Sequence, residues 1–190
     1  MAVLGKLLKN RRAGSVGLAS NLVNLAGADS LALTSPDFEN EGTIPTVHAA
    51  KRVGGKNLSP ALAWSPVPQG TAQLLLVIED PDAPTFSPFV HGVALLDPSL
   101  ASLPQGALHA RNSGVDVRVL RSGVGRGYLG PAPIKGHGPH RYVFQLFALA
   151  SPVTVARGGV ALDSAKPRDV LVVAGDVLAR GRLDGFYERK

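Results

Sequence analysis

Hydrophobic positions along this chain fall into short runs separated by turn-forming residues, a pattern that predicts strands rather than long helices. Residues 74–79 form an apolar run that ends on a glutamate, as expected for a strand buried on both faces. Residues 141–149 are rich in aromatic and β-branched side chains, which favours a central strand. Weaker runs predict further strands at residues 30–34, 89–96, 115–120 and 183–187.

Prolines mark the turns between these runs and help to indicate the fold class. They occur at positions 36, 66, 68, 98, 131 and 133, and the chain holds 22 glycines and 15 prolines in all. Strand runs outnumber helical ones, and strands do not alternate with long helices. We therefore predict a mainly β, mostly antiparallel fold. A length of 190 residues is enough for one domain with its own core.

One helix is predicted near the C-terminus. Asp163 or Ser164 could cap its start, and Pro167 suits a first helical turn. Gly181 would end this helix. Its predicted apolar stripe comprises Val170, Leu171, Val173, Ala174, Val177 and Leu178.

Residues 1–29 are predicted to form an N-terminal arm or short helix that precedes a single domain at residues 30–190. Apolar residues at positions 3, 4, 7 and 8 have helical spacing and lie among lysines and arginines. Such a basic helix could touch a membrane, or pack on the domain or on a second subunit. We favour packing, because the stretch is short and lacks an aromatic anchor. A homodimer stays open.

The net charge of +6, from 20 basic and 14 acidic residues, favours anionic partners. We expect no nucleic-acid binding, since neither a reading helix nor an aromatic stacking platform is visible. We expect no stable membrane insertion, because no apolar run approaches the roughly 18 residues of a membrane span. The N-terminus also lacks the order of a signal peptide. The chain has no cysteine, which excludes disulfides and thiolate chemistry and fits a soluble, cytoplasmic protein.

Polar side chains at strand ends form the candidate site. Asp80 ends the predicted strand at residues 74–79. Phe89 and His91 would share one face of a strand, and His140 and Tyr142 would share one face of another. We predict that these five residues converge on one small pocket.

Three chemistries are open to such a pocket. His91, His140 and Asp80 could bind zinc, but the chain lacks tight ligand spacing apart from His137-x-x-His140. A serine hydrolase would need a nucleophile on a strained turn, and no serine has that context. An anion pocket needs only hydrogen-bond donors, which imidazoles, a tyrosine hydroxyl and backbone N–H groups supply. We therefore predict anion binding without catalysis, metal or cofactor.

Several motifs resemble the phosphatidylethanolamine-binding protein family, also called the Raf kinase inhibitor protein family, in its bacterial and archaeal branch. The resemblance covers about residues 30–189. Its motifs are NLSPALAW at residues 57–64, VPQGT at 67–71, DPDAP at 80–84, GYLGP at 127–131, GPHRYVF at 138–144 and GFYER at 185–189.

The resemblance implies a large antiparallel sheet, a smaller second sheet and flanking helices, one of them near the C-terminus. It also implies that Asp80 is the pocket carboxylate, that His91 and His140 are its imidazoles and that Tyr142 lines its wall. The Ala83–Pro84 peptide is expected to be cis. The chain departs from the family at Gly92, where a tryptophan is common. The implied pocket rim is Pro131, Ala132 and Pro133, with Ala132 in place of a common cysteine.

The expected function is that of a non-catalytic binding protein for phosphate or phosphorylated head groups, including those of the phosphatidylethanolamine type. The alternative is a regulator of a kinase or hydrolase that senses a phosphorylated residue of a protein partner. A hydrolase is the least favoured reading. With imidazoles as donors, anion affinity should weaken as the pH rises through the histidine range, near 6.5 for an unperturbed side chain.

Overall fold

A computed structural model describes residues 2–112 and 114–189 and contains two sheets. The larger sheet has six strands in the order β2-β9-β8-β4-β5-β7, and the smaller has three in the order β1-β3-β6. The strands are β1 Leu33–Thr34, β2 Gly42–Thr43, β3 Leu62–Trp64, β4 Gln73–Asp80, β5 Phe89–Leu96, β6 Ser102–Leu103, β7 Val117–Val119, β8 His140–Leu149 and β9 Val177–Tyr187.

Helices are few and short. The α-helices are α1 Ala2–Leu7 and α2 Pro167–Leu171. Single 3₁₀ turns lie at Ala19–Asn21, Val23–Leu25, Thr46–His48, Lys51–Val53 and Arg157–Gly159. The predicted fold class, a mainly β fold with a large and a smaller sheet, is confirmed. Every pairing is antiparallel except that of β2 with β9, which is parallel.

The large sheet has an apolar core on each face. On one face, Leu76 and Phe144 pack with Trp64 of the small sheet. On the other, Val77 and Phe147 join a second core. Because both faces are covered, β4 is a nearly continuous apolar run, as the sequence predicted. The second core also includes Ala19, Leu25, Val170, Leu171 and Ala174.

The long C-terminal helix predicted from the apolar stripe is wrong. Helix α2 ends at Leu171, and Val177 already belongs to strand β9. The chain turns at Asp176, whose φ is 53°, and β9 then pairs with β8 along nearly its whole length. Gly181, predicted to end the helix, lies within β9 opposite Leu146. Strand pairing, which periodicity does not report, overrides the helical spacing here.

The N-terminal residues are tied into the domain. Leu18, Ala19 and Leu25, which the sequence assigned to an arm, are fully buried. The backbone N–H groups of Ala13 and Gly14 donate to carbonyls of the loop that follows β4. No helix within residues 2–112 and 114–189 is long and apolar enough to cross a membrane.

Candidate functional site

A cavity of about 250 Å³ lies at one end of the large sheet. Antiparallel pairing brings the last residue of β4 beside the first residues of β5 and β8, so Asp80, Phe89, His91, His140 and Tyr142 all line this cavity. Its remaining wall is formed by Arg52, Ala83, Pro84, Val124, Leu129, Gly130, Ala132, Pro133 and Ile134.

A β-bulge shapes the cavity wall at His91. Ile78 of β4 pairs with Gly92, and the next residue, Glu79, pairs with Val90, which leaves His91 as the extra residue of β5. Bulges bend a strand and redirect side chains beside functional sites. The bulge therefore contributes to placing the imidazole at the pocket.

Asp80 is buried, and both of its carboxylate oxygens are engaged. Its Oδ1 accepts hydrogen bonds from the backbone N–H groups of Asp82, at 2.8 Å, and Ala83, at 3.0 Å. Its Oδ2 lies 2.7 Å from Nδ1 of His140. The DPDAP loop thus holds the carboxylate in one orientation.

His140 has no nitrogen free for a ligand, contrary to the donor role expected from the sequence. Its Nδ1 contacts Asp80, and its Nε2 lies 2.7 Å from Nδ1 of His137. His137 is buried and its Nε2 lies 2.7 Å from the Leu8 carbonyl and 3.2 Å from that of Arg11. His137 is not among the predicted site residues, and the His137-x-x-His140 spacing is the signal in the sequence that points to it.

His91 presents one free nitrogen to the cavity. Its Nδ1 lies 2.6 Å from the carbonyl of Leu129, so this nitrogen carries the hydrogen. Its Nε2 is 3.9 Å from Oδ2 of Asp80, too far for a direct hydrogen bond. Burial lowers the pKa of His91, and the nearby Asp80 carboxylate opposes this only in part. Near neutral pH, Nε2 is therefore an acceptor.

Tyr142 supplies a hydroxyl that makes no hydrogen bond of normal geometry to any described residue. Burial, with the Asp80 carboxylate nearby, holds the pKa of this hydroxyl well above its usual range, so it stays protonated. The Tyr142 and Phe89 rings each stand edge-on to the His91 ring, with centroids 5.0 Å apart. These rings hold the imidazole in place.

Only some of the predicted rim residues line the cavity. Ala132 and Pro133 line the cavity, whereas Pro131 is buried behind it, and its carbonyl accepts a hydrogen bond from Ala50 N at 3.0 Å. The Ala83–Pro84 peptide is trans, contrary to expectation. Arg52, which the sequence reasoning did not single out, adds a cation to the wall.

Among the described residues, no group of three or more His, Cys, Asp or Glu side chains is arranged to hold a metal ion.

Comparisons with known proteins agree with this architecture. The family model for phosphatidylethanolamine-binding proteins matches residues 34–188. A UPF0098 protein of Aquifex aeolicus is 34% identical over 180 residues, spanning 90% of this chain and 99% of the relative. A UPF0098 protein of Pyrococcus abyssi is 28% identical over 167 residues, spanning 86% and 89%.

Solved structures show the same relationship. YbcL of Escherichia coli, described as a member of the mammalian PEBP family, has a TM-score of 0.73 and 28% identity. That similarity covers 84% of this chain and 99% of YbcL. The PEBP homolog CT736 of Chlamydia trachomatis has a TM-score of 0.65 and 26% identity, covering 86% and 100%. The family match, the relatives and the shared fold show that this chain belongs to the phosphatidylethanolamine-binding protein family.

Proposed function

We propose that this protein is a non-catalytic binding protein whose pocket takes a small phosphate-type anion, either free or as the head group of a larger molecule. One observation carries this proposal. Buried side chains of Asp80, His91 and Tyr142, from three different strands, line one cavity whose walls are otherwise mostly apolar. A few fixed polar groups in an apolar cavity are typical of small-ligand sites.

Size and charge support a small anion. About 250 Å³ is below the ~300–1,000 Å³ of typical drug-sized pockets, so a lipid could insert its head group but not its acyl chains. Arg52 contributes a cation to the wall, and the whole chain carries a net charge of +6. The Tyr142 hydroxyl makes no hydrogen bond of normal geometry to a described residue, so its hydrogen can be donated to a ligand.

The cavity lining also supports binding over covalent catalysis. Among the described residues, the lining includes no serine, threonine, cysteine or lysine, which are the usual nucleophiles. Both oxygens of the Asp80 carboxylate already accept or share hydrogen bonds within the protein.

Isothermal titration with inorganic phosphate tests the proposal directly. Tyr142→Phe should weaken phosphate binding by about tenfold or more, because a hydrogen bond to a charged group contributes ~1.5–3 kcal/mol. The same change removes a hydroxyl that makes no hydrogen bond of normal geometry to a described residue, so the free protein should lose little stability. His109→Gln, at an exposed histidine outside the cavity, is the matched control. A wild-type protein that does not bind millimolar phosphate would overturn the proposal.

The regulatory alternative, in which the pocket senses a phosphorylated residue of a kinase or hydrolase partner, rests on the family resemblance alone and stays a prediction. A cytoplasmic location and a homodimer likewise stay predictions.

A further inference from the structure

The hydrogen bonds behind the pocket fix how many protons its buried side chains hold. Carbonyl oxygens of Leu8 and Arg11 can only accept, so Nε2 of His137 must carry a hydrogen. The contacts from His137 to His140 and from His140 to Asp80 are both 2.7 Å and each needs a hydrogen as well. Two neutral imidazoles supply only two hydrogens for these three links.

The third hydrogen must be an extra proton, held by one of the imidazoles or by Asp80. With it, the unit of Asp80, His140 and His137 has a net charge of zero. Every nitrogen of His137 and His140 is then engaged, either within the unit or by the Leu8 and Arg11 carbonyls. Asp80 lines the cavity, and its Oδ1 already accepts two hydrogen bonds whereas its Oδ2 has only one hydrogen-bond partner among the described residues, His140. Oδ2 therefore keeps a lone pair for a ligand and is an acceptor.

His91 adds a second acceptor beside the first. Its Nδ1–H donates to the Leu129 carbonyl, so its Nε2 faces the cavity with a lone pair. Burial lowers its pKa, which keeps this lone pair free near neutral pH. The charged and titratable groups around the imidazole are Asp80 on β4, His140 and Tyr142 on β8, and Arg52 on the 3₁₀ turn Lys51–Val53.

Two acceptors 3.9 Å apart call for a ligand that donates a hydrogen bond. A cationic donor is disfavoured, because the buried unit is neutral, Arg52 lines the wall and the chain carries +6. A ligand that is anionic overall and still has an O–H group satisfies both conditions. Its hydroxyl can donate to Asp80 or His91, while its other oxygens accept from the Tyr142 hydroxyl and Arg52.

We infer that the pocket selects the monoprotonated phosphomonoester group, or free hydrogen phosphate, and rejects sulfate esters and phosphodiesters, which cannot donate a hydrogen bond. The inference rests on the proposed function and sharpens it. It disfavours an intact phosphodiester head group, such as that of phosphatidylethanolamine, as the bound species.

Calorimetry with two matched ligands tests the inference. Methyl phosphate has a second pKa of about 6, so at pH 6.0 about half of it is a monoanion with one O–H. Methyl sulfate has nearly the same shape and charge but no hydrogen to donate. Methyl phosphate should bind at least about tenfold more tightly, because an unmatched buried acceptor costs ~1–3 kcal/mol. Above pH 7 its affinity should fall by about tenfold per pH unit as the ligand loses its proton.

Each result has a distinct meaning. If both ligands bind with equal affinity, the inference is wrong while the proposed anion pocket survives. If methyl phosphate, methyl sulfate and inorganic phosphate all fail to bind, the proposed function itself is wrong. Dimethyl phosphate, a diester, should behave like methyl sulfate. A short-chain phosphatidic acid that binds more tightly than methyl phosphate would identify a lipid as the source of the monoester, and equal affinity would identify a soluble one.

Asp80→Asn should change which of the two ligands the pocket prefers, and not simply abolish binding. The amide nitrogen would replace Oδ2 and turn an acceptor into a donor, so methyl sulfate should gain affinity relative to methyl phosphate. Asp82→Asn is the matched control, since Asp82 accepts from the Arg141 backbone N–H and pairs with Arg12 without lining the cavity. An unchanged preference in Asp80→Asn would overturn the assignment of Asp80. If that variant does not fold, the wild-type comparison still decides the inference.

Discussion

His91 couples the pocket to pH because its imidazole is buried in the neutral form. Burial lowers its pKa below the ordinary value of 6.5. Between 6.5 and that lower value, the unfolded chain binds a proton that the folded protein does not. The folded protein must therefore lose stability as the pH falls through this window.

Replacing His91 by glutamine should reduce the pH dependence of the free energy of unfolding below pH 6.5. The free energy of unfolding of the wild type should decline below pH 6.5 with an extra slope of up to about 1.4 kcal/mol per pH unit from this residue. Urea unfolding between pH 4.5 and 8 measures the slope. His109→Gln, at an exposed position, should leave it unchanged. Equal acid slopes in wild type and His91→Gln would show that His91 is not the group involved.

His137 fastens the N-terminal residues to the pocket. Its Nε2 reaches the carbonyls of Leu8 and Arg11, and the neighbouring Arg12 pairs with Asp82 at 2.6 Å. His137→Phe keeps a ring but removes both hydrogen-bonding nitrogens. We expect trypsin to cleave the arm at least about tenfold faster in this variant, because each lost hydrogen bond contributes ~1 kcal/mol.

The companion variant His137→Gln separates hydrogen bonding from ring packing. The glutamine amide can donate to the arm carbonyls and accept from His140, so it should restore much of the protection. Cleavage at the wild-type rate in His137→Phe would contradict a role for this side chain in holding the arm. Time courses followed by mass spectrometry assign each cut to its lysine or arginine.

At the scale of elements, strand β9 depends on a glycine that lets another segment approach closely. A Cβ at Gly181 would lie 2.6 Å from the backbone oxygen of Leu31. The backbone N–H of Leu31 donates to the Arg180 carbonyl at 3.0 Å, so this segment cannot easily move away. The glycine is thus required by the close approach of the segment before β1, not by a helix end.

Gly181→Ala should therefore destabilise the protein by about 1–3 kcal/mol, the usual cost of overpacking. The midpoint of urea unfolding measures the loss. Gly175→Ala is a matched control, since the nearest atom to its new Cβ would be Asn24 O at 3.6 Å, an ordinary contact. Equal midpoints for the two variants would rule out the close approach of Leu31 as the reason for the glycine.

The elements also show where sequence reasoning succeeds. The predicted strands at residues 74–79, 89–96 and 141–149 lie within a residue or two of β4, β5 and β8, because burial on both faces makes their sequences rich in apolar residues. The predicted helix failed where the same apolar residues are shared between the end of α2, a turn and the start of β9. Apolar spacing alone does not separate these cases.

At the scale of the whole molecule, the ion pair of Glu79 and the hydrogen bonds around it join separate parts of the chain. Glu79 of β4 is fully buried and lies 2.6 Å from Nη2 of Arg168 in α2. It also accepts hydrogen bonds of 2.7 Å from Ala19 N and from Gln145 Nε2. Burial raises the pKa of Glu79, and Arg168 offsets part of that rise. The pair anchors both the N-terminal segment and α2 to one face of the large sheet.

Arg168→Gln should cost about 3–5 kcal/mol at pH 8, because it leaves a buried carboxylate without its cation. Without Arg168 the pKa of Glu79 rises further, so the folded state keeps a proton that the unfolded state has released. Stability then declines as the pH rises through this raised pKa, and the loss should be smaller at pH 5. Thermal or urea unfolding at both pH values measures the difference.

Arg118→Gln is the control for this whole-molecule prediction. Arg118 pairs with Asp163 at 2.7 Å, but both side chains are nearly half exposed. Such a pair contributes less than about 1 kcal/mol in water. A loss in Arg168→Gln that is no greater than in Arg118→Gln would mean that Glu79 does not depend on its partner.

The candidate site shows the same division between local and distant information. Alternation along two strands was enough to group Phe89 with His91 and His140 with Tyr142. It did not show that His140 turns both nitrogens inward, since its partner His137 is held by carbonyls more than a hundred residues away. Alternation also did not predict that Arg52 lines the cavity or that Pro131 is buried behind the rim.

The sequence by itself determined the β class, the central strands and the five strand-end residues of the pocket, because each depends on side-chain pattern over a few neighbouring positions. Only the tertiary structure decided which pocket atoms accept hydrogen bonds, where α2 ends and which cation meets Glu79. Those features arise from contacts between segments far apart in the chain, and local propensity carries no information about the atoms that will face each other after folding.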